Sequence, residues 1–259
     1  MQPADRVIVV TGGGSGIGKA LVKRFIDEGA RAVVAVDVDE QAARATAKDT
    51  GCTAMVADVS QESDVKRVIT DTEATFGPID LFCSNAGVAL GASADSLNSE
   101  WETSWGVNVM AHVYASRHLL PQMRKRRSGY FLITASAAGL LNQIGGAAYG
   151  TTKHAAIGFA EWLALTYAHE GIKVSVLCPQ AVRTPMVTAD MQNESARAAL
   201  ADGMIEPENV ADSVIQGLGE ESFLILPHKE VLEYMRRKTA DYDRWISGMN
   251  RMMLKLSAK

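Results

Sequence analysis

The decapeptide AAYGTTKHAA, residues 147–156, sets Tyr149 four positions before Lys153 in a run of small residues that reads as helix. In a helix these two side chains share a face. A free tyrosine, with a pKa of about 10, is a poor base at neutral pH, and a neighbouring ammonium favours its phenolate form. The pair could therefore exchange a proton with a substrate oxygen. The same spacing also fits one turn of an ordinary exposed helix, so residues 147–156 alone leave both readings open.

A second chemical signature lies near the start of the chain. Residues 11–18, TGGGSGIG, follow an apolar run and lead into a helical pattern. Glycines allow a tight turn and let backbone N–H groups approach a pyrophosphate, whose charge suits the positive end of the helix that follows. Gly12, Gly14, Ser15, Gly16, Ile17 and Gly18 are the candidate contacts. Asp37 ends the next apolar run, AVVAVD, where a carboxylate accepts hydrogen bonds from a ribose 2′-hydroxyl and repels a 2′-phosphate. No Lys or Arg occupies 11–18 or 36–40, so the expected cofactor is NAD rather than NADP. Asp58, followed by Val59, could accept from an adenine amino group, and a plain capping aspartate is the alternative.

These residues need a scaffold, and the hydrophobic pattern supplies one. Seven short β-branched runs, at 6–12, 32–37, 53–59, 79–87, 129–136, 172–179 and 222–227, alternate with segments of helical spacing such as 16–29, 61–76, 100–126 and 149–170. Runs that are apolar on both sides belong to a parallel sheet covered by helices on both faces. The expectation is an α/β fold, a doubly wound parallel sheet of about seven strands (a Rossmann fold), in a single domain spanning 1–259. Ligands of such sheets bind at the carboxyl ends of the strands, where every motif above falls.

At this level the chain resembles the short-chain dehydrogenase/reductase family. The resemblance rests on TGGGSGIG, on NAG at 85–87, on Asn108 and Ser136, and on YGTTK at 149–153, in the family's order from about residue 5 to 187. It implies an NAD(P)-dependent oxidoreductase with the tetrad Asn108, Ser136, Tyr149 and Lys153, assembled as a homodimer or homotetramer. Tyr149 would carry the proton, and Lys153 would lower its pKa and hold the nicotinamide ribose. Ser136 would hold the substrate oxygen where charge develops, and Asn108 would support a water-linked proton path. The alternatives are an ordinary strand-end serine and an asparagine that satisfies a backbone group. Asn85, Ala86 and Gly87 would lie beneath the adenosine. The segment CPQAVRTPM (178–186) resembles the family's PG…T stretch, with Pro179, Val182 and Thr184 near the nicotinamide, but Gln180 replaces the usual glycine.

Residues 185–205 fall where the family carries a substrate lid, and Met186, Met191 and Met204 could line an adaptable apolar pocket. Leu141, Asn142, Gln143 and Ile144 are further candidate substrate contacts. The expected substrate is a hydrophobic secondary alcohol or its ketone, cyclic, steroid-like or lipid-like. The helical extension 228–259 departs from the family pattern. Residues 236–259 carry seven Lys or Arg against two Asp, a net of +5 that leaves −9 on the remainder of a chain of net charge −4. Trp245, Ile246, Met249, Met252, Met253 and Leu256 form one stripe on it, suited to docking on its own domain or a second subunit rather than to a membrane surface.

The overall acidity argues against a nucleic-acid partner. Three scattered cysteines without Cys/His clustering suggest reduced thiols, no metal site and a cytoplasmic location. Two competing functions share the motifs: a cofactor-binding regulator or membrane-associated scaffold without chemistry, and an epimerase or dehydratase on the same fold.

Overall fold

The computed structural model describes residues 1–188 and 203–257. Seven strands form one parallel sheet: β1 Val7–Thr11, β2 Ala32–Asp37, β3 Thr53–Val56, β4 Leu81–Ser84, β5 Gly129–Thr134, β6 Ile172–Leu177 and β7 Leu224–Ile225, in the order β3-β2-β1-β4-β5-β6-β7. The winding reverses between β1 and β4, and a crevice opens there at the carboxyl ends of the strands.

Helices α1 Gly16–Asp27, α2 Glu40–Thr50, α3 Glu62–Phe76, α4 Asn98–Trp105, α5 Ala111–Arg126, α6 Ala138–Leu141, α7 Ala147–Tyr167, α8 Pro185–Thr188, α9 Pro207–Glu220, α10 Glu230–Ala240 and α11 Tyr242–Ser257 complete the domain. Successive residues of a strand point to opposite faces, so each apolar run feeds two cores. Val7 and Val9 pack with Val65, Ile69, Leu119 and Leu163, carried by α3, α5 and α7. Ile8 and Val10 pack with Leu21, Phe25, Val214 and Leu218, carried by α1 and α9. Each such side chain, taken fully out of water, contributes roughly 1.5–3 kcal/mol.

One expectation is corrected. The helix read at 100–126 begins at Asn98 and passes through a π-helical turn, Gly106–Met110, so Asn108 sits in a widened turn rather than a regular helix. The stripe of Trp245, Ile246, Met249, Met252, Met253 and Leu256 lies whole on one helix, α11, and a break upstream of it divides the extension into two helices. The chain is extended at Asp241 (φ −157°, ψ 94°), whose Oδ1 accepts from Arg244 N at 2.9 Å and starts a new helix, α11. No side chain described on α11 is fully buried, and Trp245 rests against Tyr234 of α10 with ring centroids 6.5 Å apart.

Candidate active site

A cleft of about 300 Å³ runs along the carboxyl edge of the sheet. One wall is the glycine-rich turn. Gly12 has φ +66°, a left-handed conformation that disfavours a side chain, and a Cβ on Gly18 would stand 1.9 Å from the carbonyl oxygen of Gly12. The turn therefore packs directly onto the first turn of α1. That turn carries no acidic residue, and the Ser15 side chain makes no capping bond. Its leading amides are left to a ligand, as a pyrophosphate requires.

Asp37 lies at the end of β2 beside this turn. Its Oδ2 accepts from Gly14 N at 2.9 Å and its Oδ1 from Asp39 N at 3.1 Å. A carboxylate oxygen has room for a second donor, so Asp37 can brace the loop and still receive a ribose hydroxyl. Asp58 caps no helix but closes a local turn ahead of α3, its Oδ1 accepting from Ser60 N at 2.9 Å, and it lines the cleft beside Val59.

The middle of the cleft is knitted by groups from three strands. Thr11 Oγ1 accepts from Asn85 N and Ala86 N at 2.9 and 3.1 Å, and Asn85 Nδ2 donates back to Thr11 O at 3.0 Å. Thr134 Oγ1 donates to Asn85 Oδ1 at 3.0 Å. Asn85 is thus the tie between the ends of β1, β4 and β5, and Ala86 and Gly87 follow it along the cleft wall.

Ser136, Tyr149 and Lys153 meet at the far end. Ser136 Oγ accepts from Ala138 N at 3.1 Å, which fixes its rotamer, and donates to Pro179 O at 3.4 Å, while its hydroxyl favours the phenolate form of the neighbouring Tyr149. Lys153 is buried, donates from Nζ to Thr134 O at 3.0 Å and stands 5.6 Å from the centroid of the Tyr149 ring. Gly87 makes room for it, since a Cβ there would lie 3.2 Å from Nζ. Burial pushes the Lys153 pKa down to about 8.

The expected depression of the Tyr149 pKa is not what this arrangement produces. Burial raises it, the hydrogen bond from Ser136 pulls it back in part, and the neighbouring Cys178 raises it further. Desolvation of the phenolate outweighs the help from neighbouring groups here. A cation arriving in the cleft is the remaining influence that could draw a proton off Tyr149.

Asn108 is fully buried and does not line the cleft. Its Oδ1 accepts from Val88 N at 2.9 Å, its Nδ2 donates to Val88 O at 2.9 Å, and Nδ2 also reaches Thr152 Oγ1 at 3.0 Å. The side chain satisfies backbone groups, and in doing so holds Gly87 and Val88 against Lys153.

Pro179, Val182, Thr184 and Met186 line the cleft, as does Gln180. Leu141, Asn142 and Gln143 do not. Helix α6 ends at Leu141, and the chain reverses at Asn142 with φ +69°, so its carboxamide accepts from Gln143 N at 2.8 Å and backs onto Gly150. Met191 and the greater part of the expected lid, 189–202, lie outside the described residues. Val182 and Ile205 form a parallel bridge just after that segment. Sequence reasoning missed Thr11, Thr134 and Thr152 as partners of the site, although Thr11 lies within TGGGSGIG and Thr152 within YGTTK.

Cys83 and Cys178 are buried free thiols, and burial pushes Cys178 up to about 12, which excludes it as a nucleophile at neutral pH. Among the described residues no cluster of metal-binding side chains occurs.

A doubly wound α/β domain with a glycine-rich turn at one end of its cleft and a Ser/Tyr/Lys cluster at the other defines a nucleotide-binding oxidoreductase. The sequence profile of the short chain dehydrogenase family matches residues 6–195, and the chain belongs to that family. It is 35% identical over 260 residues to 1-deoxy-11-beta-hydroxypentalenate dehydrogenase of Streptomyces exfoliatus, with 95% of this chain and 92% of that protein covered. It is 33% identical over 197 residues to levodione reductase of Leifsonia aquatica, covering 73% of each. Among solved structures, a short chain dehydrogenase/reductase from Burkholderia phymatum in complex with NAD superposes with a TM-score of 0.86 at 28% identity, over 94% of this chain and 96% of that one.

Proposed function

We propose that the protein is an NAD-dependent dehydrogenase that interconverts a hydrophobic, cyclic secondary alcohol and its ketone. One observation carries the reading: Ser136, Tyr149 and Lys153 meet at one end of a single cleft whose other end holds the glycine-rich turn and Asp37. The relatives named above, a hydroxypentalenate dehydrogenase and a levodione reductase, support the substrate class. The neighbour bound to NAD and the carboxylate of Asp37 support the cofactor.

The residues fit a nicotinamide dinucleotide, which when bound supplies the hydride acceptor or donor. The first amides of α1 would hold its pyrophosphate and Asp37 a ribose hydroxyl, with Asn85 to Gly87 beneath the adenosine. Lys153 would hold the second ribose and Thr184 the carboxamide. Ser136 donates its hydroxyl proton to the substrate oxygen and fixes it against Tyr149. Tyr149 takes the hydroxyl proton during oxidation and returns it during reduction. Its raised pKa keeps it protonated until positive charge arrives beside it, so proton transfer and cofactor charge are coupled. Asn108 acts here by holding Val88 and Gly87.

In this reading the protein is cytoplasmic and works as a homo-oligomer. The outer face of α7 supports the latter, with Trp162 and Leu165 exposed by 48% and 84%.

The test is Tyr149→Phe with a panel of cyclic secondary alcohols, NAD and NADP, followed at the reduced-nicotinamide absorbance. The variant should bind NADH like the wild type and lose nearly all turnover. Full retained activity sinks the assignment. Product formed without a net absorbance change would identify an epimerase or dehydratase instead.

A further inference from the structure

The segment after β7 reaches back to the Pro179–Thr184 wall of the cleft and to α6, which is built on Ser136, through two buried side chains. His228 is 5% exposed. Its Nδ1 accepts from Gln180 N at 3.1 Å and its Nε2 bonds Ala181 O at 3.2 Å, which selects the tautomer with the proton on Nε2. Ala181 O also accepts from Ile205 N at 3.2 Å, and Arg183 N donates to Ile205 O at 2.9 Å. The imidazole therefore pins the turn where Gln180 stands in place of a glycine, at the root of the segment that enters and leaves the lid.

Lys238 of α10 is 9% exposed, and its Nζ donates to Leu140 O at 2.6 Å with the ring of Tyr242 5.5 Å away. Leu140 lies on α6, whose start is built on Ser136: Ala138 N bonds the Ser136 hydroxyl and Gly139 N bonds the Ser136 carbonyl at 2.9 Å. A lysine on the C-terminal extension is thus two short links from the serine of the site.

We propose that residues 228–240 are a brace in which His228 positions the Pro179–Thr184 wall and Lys238, through α6, positions Ser136, setting how tightly cofactor and substrate are held. Both are positioning residues, since neither lines the cleft. The proposal rests on the dehydrogenase reading of the cleft. It also gives the extension a role inside its own subunit: α10 fixes the site while α11 projects beyond it.

The experiment uses the full chain and four variants, His228→Phe, His228→Asn, Lys238→Met and Lys238→Arg, each checked for folding by circular dichroism. NADH affinity is read without substrate by nicotinamide fluorescence, and KM and kcat are read separately. His228→Phe, which removes the imidazole's bonds to the Gln180 amide and the Ala181 carbonyl, should weaken NADH binding about tenfold with a smaller change in kcat at saturating cofactor. His228→Asn, which can still accept from Gln180 N, should recover part of that loss. Lys238→Met should raise the substrate KM severalfold while leaving NADH affinity unchanged, with recovery in Lys238→Arg. Should His228→Phe fail to fold, the Asn variant and the lysine pair give the same readouts.

A wild type that turns over, with variants matching its NADH affinity and substrate KM within experimental error, overturns the brace. Equal losses in every kinetic parameter, without rescue by Asn or Arg, overturn it too, because they indicate general destabilisation. A wild type that binds no nicotinamide nucleotide overturns the dehydrogenase reading itself.

Discussion

Lys153 and Thr134 are joined by a buried hydrogen bond, Nζ to carbonyl oxygen at 3.0 Å, that ties α7 to the end of β5 beneath the cleft. It places an ammonium where solvent cannot stabilise it, and the opposing effects of burial and bonding set the behaviour of the site.

The first prediction follows from that ammonium. Its pKa falls from 10.5 in an unfolded chain to about 8 in the fold. Below pH 8 both states are protonated and the fold bears the full cost of the buried charge. Between pH 8 and 10.5 the folded state releases its proton first, so stability rises, by up to about 3 kcal/mol across the window. Urea midpoints of the wild type should climb relative to Lys153→Met from pH 8 upward. Parallel curves for the two proteins would show that the buried charge does not exist.

Asn108 gives a prediction that separates a packing role from a proton-path role. Asn108→Ala leaves the N–H and carbonyl of Val88 without their side-chain partner and removes a bond to Thr152. The expected loss is about 2–4 kcal/mol of stability, together with reduced turnover because Gly87 is no longer held against Lys153. Melting temperature and kcat are to be measured together. Unchanged melting with lost turnover would favour the water-linked path and refute the clamp.

How much of the fold and the site is legible in the sequence depends on distance along the chain. The strands were legible because β-branched runs buried on both faces fit little else, and Gly12 to Gly18 because a strand, a turn and a helix must follow one another directly. Tyr149 and Lys153 were legible as a pair because one helical turn links them. The direction of the Tyr149 shift was not, because it depends on burial contributed by elements from all over the fold. A backbone-satisfying role for Asn108 was the stated alternative, but its partner was hidden, because Val88 is 20 residues away in sequence. Leu141 to Gln143 looked like substrate contacts because they lie between Ser136 and Tyr149, yet none of them lines the cleft. Asp241 divides the extension into two helices, a break that the apolar stripe downstream of it does not mark.

Asp37 carries the cofactor prediction. Its two oxygens already brace Gly14 and Asp39, so replacing it changes the loop as well as the ribose contact. Asp37→Ser should raise the NAD KM about tenfold or more and narrow the preference over NADP, since a lost charged hydrogen bond costs roughly 1.5–3 kcal/mol. Steady-state kinetics with both cofactors provide the check. Equal use of NADP by the wild type would remove the basis for assigning Asp37 this role.

His112 predicts how the fold responds to acid. The ring is 1% exposed, its Nδ1 lies 2.6 Å from Ser84 Oγ, and its Nε2 has no hydrogen-bond partner among the described residues. Burial, reinforced by the charge of Lys153, pushes its pKa down to about 3 from 6.5. Above pH 6.5 the imidazole is neutral in both states and costs nothing in charge. As pH falls through 6.5 the unfolded chain binds the proton and the fold does not, so stability is lost progressively toward pH 3. Between pH 7 and pH 5 this one residue should remove about 2 kcal/mol. His112→Phe keeps a ring of similar size and leaves Ser84 unpaired at every pH, which lowers stability by a constant amount without adding a titration. Its urea midpoint should therefore fall less steeply than that of the wild type over the same interval. Identical slopes would mean that the buried ring exchanges protons freely with solvent, and that the closed wall between α5 and β4 opens in solution.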